Sequence, residues 1–554
     1  MSLGRNPDTE DLFRSARALC EPKLGATSIY RLLAEQGSRL FADEFFADLF
    51  QEIGRECVPP RVVATVMVLQ RIEGLSDREA VDRFAFDLRW KYAAGVDLDF
   101  PSFVHTVLVG MRARLRRSER PERIFEAVLE VAKEAGLVGR KRVLDSTALF
   151  DAVATQDTVT MIRSAIRAVL KAAPVELAEE IRQQLQRDDD YLQPGKPSCE
   201  WDDSSAREAL VDALARDGRA VTRLLEGRAM APQLEQAVQL LATVLGQDIV
   251  FDKTGNDGGD DGGNDDGDSE KGVFRIAQRV SKDRVISTVD PDARHGHKTS
   301  SRKFDGYKGH IAIDPDSEII TATAVTAGNV GDAVPTEELL HDVLTSEPQA
   351  PQGDESTHDS QASATSPTPS GTEVYGDASY GTADLVERLD ACGIAANVKV
   401  QPPAARKGKF SQDDFPIDLQ TETARCPAGA LVPIRRSRDG AGHATFGSSC
   451  EGCSLRSQCT DSKRGRTLHI HPKHSTLDRA RQRQRDPHWK QQYRATRPKV
   501  ERKIAHLMRR KHGGRHARVR GQVRVGHDFS LLAAAANLQR LALLQRITHL
   551  GAAD

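Results

Sequence analysis

Apolar residues recur at helical spacing over much of the first 138 residues. One run begins at Pro60 and reads VVATVMVLQRIEG, and a second begins behind Ser76, with Glu79 three residues later. This Ser and Glu pair is the signature of a capping box. A third run, FPSFVHTVLVGMRARLRR, ends in arginines at positions 112, 114, 116 and 117. Residues 1–138 are therefore predicted to form a helical domain. A helix-turn-helix-like DNA-binding domain and an ordinary helical bundle fit this pattern about equally well.

The pattern changes to that of strands after residue 138. The run KRVLDSTAL predicts a buried strand with Asp145 at its end, and residues 158–251 then return to helical spacing as an insertion. FDGYKGHIAID and EIITATAVTAG predict a hairpin, and TEVYGDASYGT predicts a strand that ends at Asp377. A helix, ADLVERLDACG, and a strand, IAANVKV, follow. Strands that alternate with helices indicate an α/β core, here residues 139–157 and 272–415.

Two segments of low complexity interrupt this core. Residues 252–271 are rich in Asp and Gly, and residues 345–372 are rich in Ser, Thr, Pro and Gln. The first segment could suggest a calcium loop, but no frame places Asp at positions 1, 3 and 5 with Gly at 6. We therefore predict a flexible acidic linker and a second disordered linker.

A cluster of cysteines lies in residues 416–475. Four of the eight cysteines fall within 34 residues in the pattern Cys-x23-Cys-x2-Cys-x5-Cys: Cys426, Cys450, Cys453 and Cys459. Four thiolates suit a tetrahedral structural Zn²⁺, which can hold together a segment that has little core of its own. The alternative is four reduced cysteines without a metal. Four histidines are available as substitute ligands: His443, His469, His471 and His474.

The most basic part of the chain lies in residues 476–554. Between residues 487 and 527 the only carboxylate is Glu501. A disordered basic tail is one interpretation. Apolar residues at positions 500, 504, 507 and 508 instead favour an ordered helix, with Pro498 in its first turn and Gly513-Gly514 as its stop. Glu501 is then predicted to lie in the first turn of that helix.

Three acids thus stand apart from the others. Because ligands in open α/β sheets collect at the carboxyl ends of strands, Asp145 and Asp377 are candidates for one shared site. Together with Glu501, they would hold a pair of Mg²⁺ (or Mn²⁺) ions about 4 Å apart. Simpler roles exist for two of them: Asp145 as a turn residue with Ser146 and Thr147, and Asp377 as an N-cap.

Four motifs, taken in order, resemble the DDE transposases of bacterial insertion sequences. They read VLDSTAL, DPDARHGHKTSSRKFDGYKGHIAID, VYGDASYG and RPKVERKIAHLMRRKHGGRHARVRG, and VGHDFSLLAAAANLQRL resembles the end of such proteins. The resemblance spans residues 55 to 547. It implies that Asp145, Asp377 and Glu501 form the catalytic, metal-binding triad. It also implies an RNase H-like core, with the first aspartate on the first strand and the glutamate on a late helix. The cysteine segment is then an insertion before that helix.

The sequence departs from the pattern of related insertion-sequence enzymes around the glutamate. Those enzymes carry a tyrosine, an arginine, the glutamate and a later lysine at set intervals. Arg497 lies four residues before Glu501, as that pattern requires. Tyr493 is one residue too far from Arg497, and Met508 stands where the lysine would be, with Arg509 beside it. The roles of the tyrosine and the lysine are therefore open.

Several basic residues are candidates for contact with DNA. Lys308 and His310 share one face of the strand GYKGHIAI, which would face either phosphate or solvent. Further candidates lie on and after the glutamate helix: Arg497, Arg502, Lys503, Arg509 and Arg510. Their role would be to position the DNA backbone, with affinity that falls steeply with salt.

The fold expected from all this is an α/β, RNase H-like mixed sheet core. It carries a helical N-terminal domain, a helical insertion after the first strand and a small zinc-ribbon-like insertion. No run approaches the roughly 18 apolar residues of a membrane span, and the polar start MSLGRNPDTEDLF lacks the apolar stretch of a signal peptide. We therefore expect a soluble bacterial protein of the cytoplasm, associated with the nucleoid when bound to DNA.

The resemblance implies a metal-dependent transposase that binds the terminal inverted repeats of its element. Such an enzyme hydrolyses a phosphodiester at the element end and joins the freed 3′-hydroxyl to target DNA, as a homodimer on DNA. The alternative is a zinc-containing DNA-binding protein without catalysis, which would need the basic helix and the cysteines but none of the three acids. A nuclease without strand transfer is a third possibility.

Overall fold

The computed structural model describes residues 15–51, 57–151, 154–252, 272–279, 281–299, 302–345, 371–403 and 408–544. Nearly all of both predicted linkers, 252–271 and 345–372, lies outside the described residues. None of the described helices is long and apolar enough to cross a membrane.

The N-terminal part of the chain is helical, as its periodicity predicts. Its helices are α1 (Ala16–Cys20), α2 (Ile29–Leu40), α3 (Pro60–Glu73), α4 (Asp77–Phe86), α5 (Leu88–Ala94), α6 (Thr106–Arg117) and α7 (Arg123–Glu134). The predicted capping box is present, because Ser76 Oγ accepts from the amide of Glu79 and Glu79 Oε2 accepts from the amide of Ser76. Of these helices, α3 is the most deeply buried, and 12 of its 14 residues are shielded from solvent.

The next part of the chain alternates between strands and helices. Strand β1 (Lys141–Phe150) is followed by the helices of the insertion, α8 (Thr158–Ala172), α9 (Val175–Gln184), α10 (Ser204–Leu225) and α11 (Pro232–Asp248). Then come β2 (Ile249–Asp252), β3 (Val273–Ile276), β4 (Arg294–Thr299), β5 (Arg302–Ile313), β6 (Ile320–Ala327), α12 (Thr336–Leu339) and α13 (His341–Leu344). The segment after the second linker gives β7 (Glu373–Gly376), α14 (Ala383–Ala391) and β8 (Ala395–Val398).

The central sheet is mixed. Its order is β4-β5-β1-β7-β8, and β6 also pairs with β5. Strands β1, β7 and β8 run parallel, whereas β5 is antiparallel to β1 and places Ile311 opposite Asp145. Strands β5 and β6 form the predicted hairpin. Asp145 lies in the interior of β1, five residues before its end, and not at the end of the strand as predicted.

The cysteine segment consists of short strands. Their bounds are β9 (Ile417–Asp418), β10 (Thr423–Arg425), β11 (Leu431–Pro433), β12 (Arg435–Arg436), β13 (Gly442–Thr445) and β14 (Thr467–Ile470), with a helical turn, α15 (Arg456–Cys459). These strands form two three-stranded sheets. The segment has more core than its sequence predicts, because Phe415, Phe446, Leu468 and Ile470 are buried against one another.

The last described part of the chain, residues 474–544, contains α16 (His474–Arg483), α17 (Pro487–Thr496), α18 (Pro498–Leu507) and α19 (Gln522–Leu544). Helix α19 is buried around most of its circumference and packs on β6, α7 and α3. Asn537 fixes it to the sheet, since its side-chain amide accepts from the amide of Ile320 and donates to the carbonyl of Ile320, both at 2.8 Å. The N-terminal helices therefore share one core with the sheet and with α18 and α19.

The end of α3 also contacts the basic loop that follows α18. Nδ1 of His512 donates to the carbonyl of Ile72 at 2.7 Å, and the buried Arg71 donates to the carbonyl of His512. Gly74 ends α3 with a φ of 67°, and its Cα lies so close to Lys511 that a side chain there would strike the Lys511 carbonyl. The N-terminal helices and the glutamate helix are thus joined through this loop.

Candidate active site

The three predicted acids surround one guanidinium group, that of Arg497. Its Nη2 lies 2.9 Å from Oδ1 of Asp145 and 3.6 Å from Oδ2 of Asp377. Its Nη1 lies 3.6 Å from Oε1 of Glu501, one helical turn further along the chain. Side chains separated by more than 350 residues in sequence are therefore brought to a single point.

Asp145 is the most buried of the three acids. It lies on the central strand β1, and its side chain is 11% exposed. The amide of Ser146 donates to Oδ1 of Asp145 at 2.9 Å, as expected of a turn residue, although Asp145 lies within a strand. Burial raises the pKa of Asp145 above its ordinary value, although Arg497 and Lys298 act in the opposite direction.

Asp377 directly follows β7, at the end of that strand as predicted. Its Oδ1 accepts from the amide of Ser379 at 2.9 Å. The alternative role as an N-cap is wrong, because the cap of α14 is Thr382, whose hydroxyl accepts from the amide of Leu385. The role of Tyr493 was left open by its spacing. In the structure its hydroxyl donates to the carbonyl of Gly376, the residue before Asp377, at 3.1 Å.

Glu501 lies in the first turn of α18, as predicted. Pro498 is the first residue of that helix, but the helix ends at Leu507, six residues before the predicted Gly513 stop. The apolar face of α18 packs towards β1, while the Glu501 side chain is 61% exposed. Glu501 therefore lies at the solvent-facing rim of the site and Asp145 at its base.

A cleft of about 300 Å³ opens beside Asp377. The polar residues on its wall include a fourth acid, Asp332, which was not among the predicted site residues. Asp332 accepts from Nζ of Lys308 and from Oγ of Ser146, both at 2.7 Å. Burial raises the pKa of Asp332, yet these two hydrogen bonds bring it below its ordinary value. A second lysine in the cleft, Lys298, donates to the carbonyl of Ser146 at 2.7 Å.

His310 is neither a phosphate contact nor part of a solvent face in this structure. It is fully buried, and its ring nitrogens are hydrogen-bonded to the hydroxyls of Tyr380 and Thr326. Burial lowers the pKa of His310 to about 4, so the ring is neutral at physiological pH. Tyr380 is itself buried near Asp332, Asp145 and Asp377, and it was also missed in the sequence.

The predicted DNA-binding residues on α18 point in different directions. Arg497 faces the acids, and although burial acts to lower its pKa, Asp145 and Asp377 raise it above the ordinary value. Lys503 is only 3% exposed, and burial lowers its pKa to about 8. Because both side chains are buried, this structure gives no support to their predicted contact with DNA. Arg502 is exposed and pairs with Glu318 at 2.7 Å, and Arg509 and Arg510 are also exposed.

The four clustered cysteines line one small cavity. Cys459 is buried, and burial raises the pKa of its thiol, as do the three other cysteines nearby. Within the part of the chain that the structure describes, however, no group of three or more His, Cys, Asp or Glu side chains has the spacing of metal ligands. The structure thus brings the four cysteines to one cavity but not into a ligand shell.

The three acids likewise lack the spacing of a metal-ligand group among the described residues, although their chemistry suits a divalent cation. Carboxylate oxygens are the ligands that Mg²⁺ prefers in proteins. Three carboxylates face the single guanidinium of Arg497, so they outnumber the cation that pairs with them.

Comparison with known families found two matches. Residues 425–542 match the model of a Transposase DDE domain, and residues 26–114 match that of a Transposase domain (DUF772). The first includes the four clustered cysteines, Glu501 and most of α19, and the second includes α2 to α5 and most of α6. No curated protein and no solved structure matches the chain. The two matches confirm the resemblance to DDE-type transposases of insertion elements and support a transposase function in general terms.

Proposed function

We propose that this chain, with its two transposase segments, is the transposase of a bacterial insertion sequence. It would bind the terminal inverted repeats of its element, hydrolyse a phosphodiester at the element end and transfer the freed strand to target DNA. One observation carries this proposal: Asp145, Asp377 and Glu501 come from three distant parts of the chain and meet at the guanidinium of Arg497.

The residues that would hold two Mg²⁺ or Mn²⁺ ions are Asp145, Asp377 and Glu501. Such a metal pair activates a nucleophilic oxygen and stabilises the leaving oxygen of a phosphodiester. The protein's own part is to place the acids. Strand β1 holds Asp145 at the base of the site, and the hydrogen bond from Tyr493 to Gly376 fixes the chain next to Asp377. Arg497 would keep the three carboxylates together before the ions and the DNA arrive.

Two structural features support an RNase H-like core. Asp145 lies on the first strand of the central mixed sheet, and Glu501 lies on a late helix that packs against that same strand. The cysteine segment lies between the second aspartate and this helix in sequence, as an insertion would.

The DNA would be held by exposed basic residues around this site. Arg502, Arg509 and Arg510 are exposed close to Glu501 in sequence. The N-terminal helices, which include the arginine-rich α6, would recognise the terminal repeats. Because joining two element ends requires two active sites, we propose a homodimer on DNA, in the bacterial cytoplasm and on the nucleoid.

We also propose that the four-cysteine cavity binds a structural Zn²⁺. The support is that Cys426, Cys450, Cys453 and Cys459 line the same cavity, in a segment of very short strands. Zn²⁺ binds thiolates, so the thiols would lose their protons and approach one another on binding.

Purified protein and a labelled DNA end taken from the flanks of the gene would test the proposal. With Mg²⁺ and target DNA, a transposase yields both cleaved ends with a free 3′-hydroxyl and joined products. Cleaved ends without joined products would indicate a nuclease. Binding of the end without cleavage, in Mg²⁺ or in Mn²⁺, would indicate the non-catalytic DNA-binding protein and overturn the proposal.

A further inference from the structure

The cleft beside Asp377 contains two lysines whose surroundings differ. Lys308 is half-buried, and its ammonium group donates to Asp332 at 2.7 Å and to the carbonyl of Val330 at 2.8 Å. Lys298, on β4, is exposed, and no carboxylate among the described residues pairs with it. Its ammonium group donates to one neutral acceptor, the carbonyl of Ser146.

This single hydrogen bond holds the ammonium group of Lys298 at a defined place. The acceptor belongs to the residue after Asp145, so the ammonium lies beside the base of the active site. A lysine ammonium carries three donors, and the described contacts use one of them. The other two are available to a ligand in the cleft. Lys298 is also close enough to Asp145 to lower the pKa of that acid.

The other walls of the cleft suit a segment of a DNA strand. Thr147 and Ser379 contribute hydroxyl groups, and Phe304 contributes an aromatic ring. A volume of about 300 Å³ is at the lower end of the range for ligand sites. A positive charge without a paired carboxylate, in the same cleft as Asp377 and close to Asp145, suits an anionic ligand that approaches those acids.

We propose that Lys298 binds a backbone phosphate of the DNA strand that is cut, within the cleft formed by β1, β4 and the loop before α12. This inference rests on the proposed function, because it takes the DNA strand to pass Asp145 and Asp377. It assigns to Lys298 the role that the sequence pattern suggested for Lys308, whose charge is already paired with Asp332. Lys298 is then a substrate-binding residue of this site.

The test measures binding of the element-end duplex by Lys298→Gln and by Lys298→Arg. Loss of one charged hydrogen bond is expected to weaken binding about tenfold. It is also expected to reduce the slope of log K against log salt by about 0.9, since one phosphate contact is lost. Lys298→Arg should retain the wild-type slope. Lys171→Gln removes the same charge from an exposed position on α8 and should leave both quantities unchanged.

Neutral methylphosphonate linkages, placed one at a time in the cut strand, locate the contact. One such linkage near the cleavage position should weaken binding by the wild type but not by Lys298→Gln. Wild-type affinity and slope in Lys298→Gln, with an unchanged response to every linkage, would overturn the proposal. An equal loss in Lys171→Gln would also overturn it. Failure of the wild type to bind the end at all would instead refute the proposed function. Because Lys298 and Lys171 are exposed, thermal unfolding should show that all three variants are folded.

Discussion

The guanidinium of Arg497 lies 2.9 Å from Oδ1 of Asp145, and both side chains are about nine-tenths buried. The same guanidinium reaches Asp377 and Glu501 within 3.6 Å. An arginine in this place neutralises part of the charge of three carboxylates that would otherwise repel one another. It therefore holds the site together in the metal-free protein.

Removal of Arg497 should destabilise the protein, and Mg²⁺ should offset part of the loss. Arg497→Gln leaves buried Asp145 without its ion pair, at a cost of about 3 kcal/mol. Arg502→Gln is the matched control on the same helix, since its pair with Glu318 is solvent-exposed on the arginine side and worth about 0–1 kcal/mol. Thermal unfolding of both variants in EDTA and in Mg²⁺ measures the loss of stability and the part of it that the metal offsets. Equal melting temperatures for the two variants in EDTA would contradict this role of Arg497.

The contact between α3 and the basic loop should be sensitive to a single methyl group at Gly74. Gly74→Ala places a Cβ against the carbonyl of Lys511 and also strains a φ of 67°. Gly136 has the same φ of 67° with no atom near its would-be Cβ. Gly136→Ala should therefore cost only the backbone strain, about 1–2 kcal/mol. Chemical denaturation should show a clearly larger loss for Gly74→Ala, and equal losses would mean that the contact contributes nothing to stability.

Lys503 should reduce stability at neutral pH. Burial lowers its pKa to about 8, below the ordinary value of 10.5, so the ammonium form is destabilised in the folded protein although it still predominates at pH 7. The cost of burying the ammonium is fully present below pH 8 and disappears as the pH rises from 8 to 10.5. Lys503→Met should therefore raise the melting temperature at pH 7, and the gain should shrink towards pH 10. A gain that does not change with pH would show that charge burial is not its cause.

Lys503→Met should also bind the element end as the wild type does. Arg510→Gln should reduce the salt dependence of binding, because Arg510 is exposed and its loss removes about one phosphate contact. Fluorescence titration over a range of salt concentrations measures both variants. Loss of affinity in Lys503→Met, and not in Arg510→Gln, would instead identify Lys503 as the DNA contact.

Purified protein should contain about one equivalent of zinc per chain. Replacing Cys453 by Ser should lower the zinc content and the melting temperature together, because the metal supports the surrounding short strands. Cys392→Ser, outside the cysteine segment, is the control and should change neither quantity. Metal analysis with less than about half an equivalent of zinc, and four titratable thiols, would contradict the zinc site.

The sequence predicted the parts of the fold that follow a strict local pattern. The capping box at Ser76, the helix around Glu501 and the β5–β6 hairpin all occur where they were expected. The three acids could be selected because each stood out locally, two in strand runs and one among bases. Their meeting point at Arg497 could not be predicted, since it depends on the packing of α18 against β1.

The errors concern which face of an element is covered. His310 was expected on a strand face that meets either phosphate or solvent, and Lys503 was selected for its charge beside Glu501. Periodicity gives the faces of a strand or helix, but not what packs on each face. Helices pack on both faces of this central sheet, one face in each of two buried clusters. Asp332 was missed although it follows β6 by five residues. The signal that selected Asp377, an acid directly after a strand run, is weaker for Asp332, because a turn separates Asp332 from β6.

Metal-dependent cleavage of the labelled element end by single variants of the acids is the most direct test of the account. Asp145→Asn, Asp377→Asn and Glu501→Gln should each bind the end as the wild type does, yet cut it at least about 100-fold more slowly. Asp316→Asn, which removes an exposed carboxylate paired with Lys499, should cut at the wild-type rate. If any of the three variants retains wild-type cleavage in Mg²⁺, these acids do not form the catalytic site.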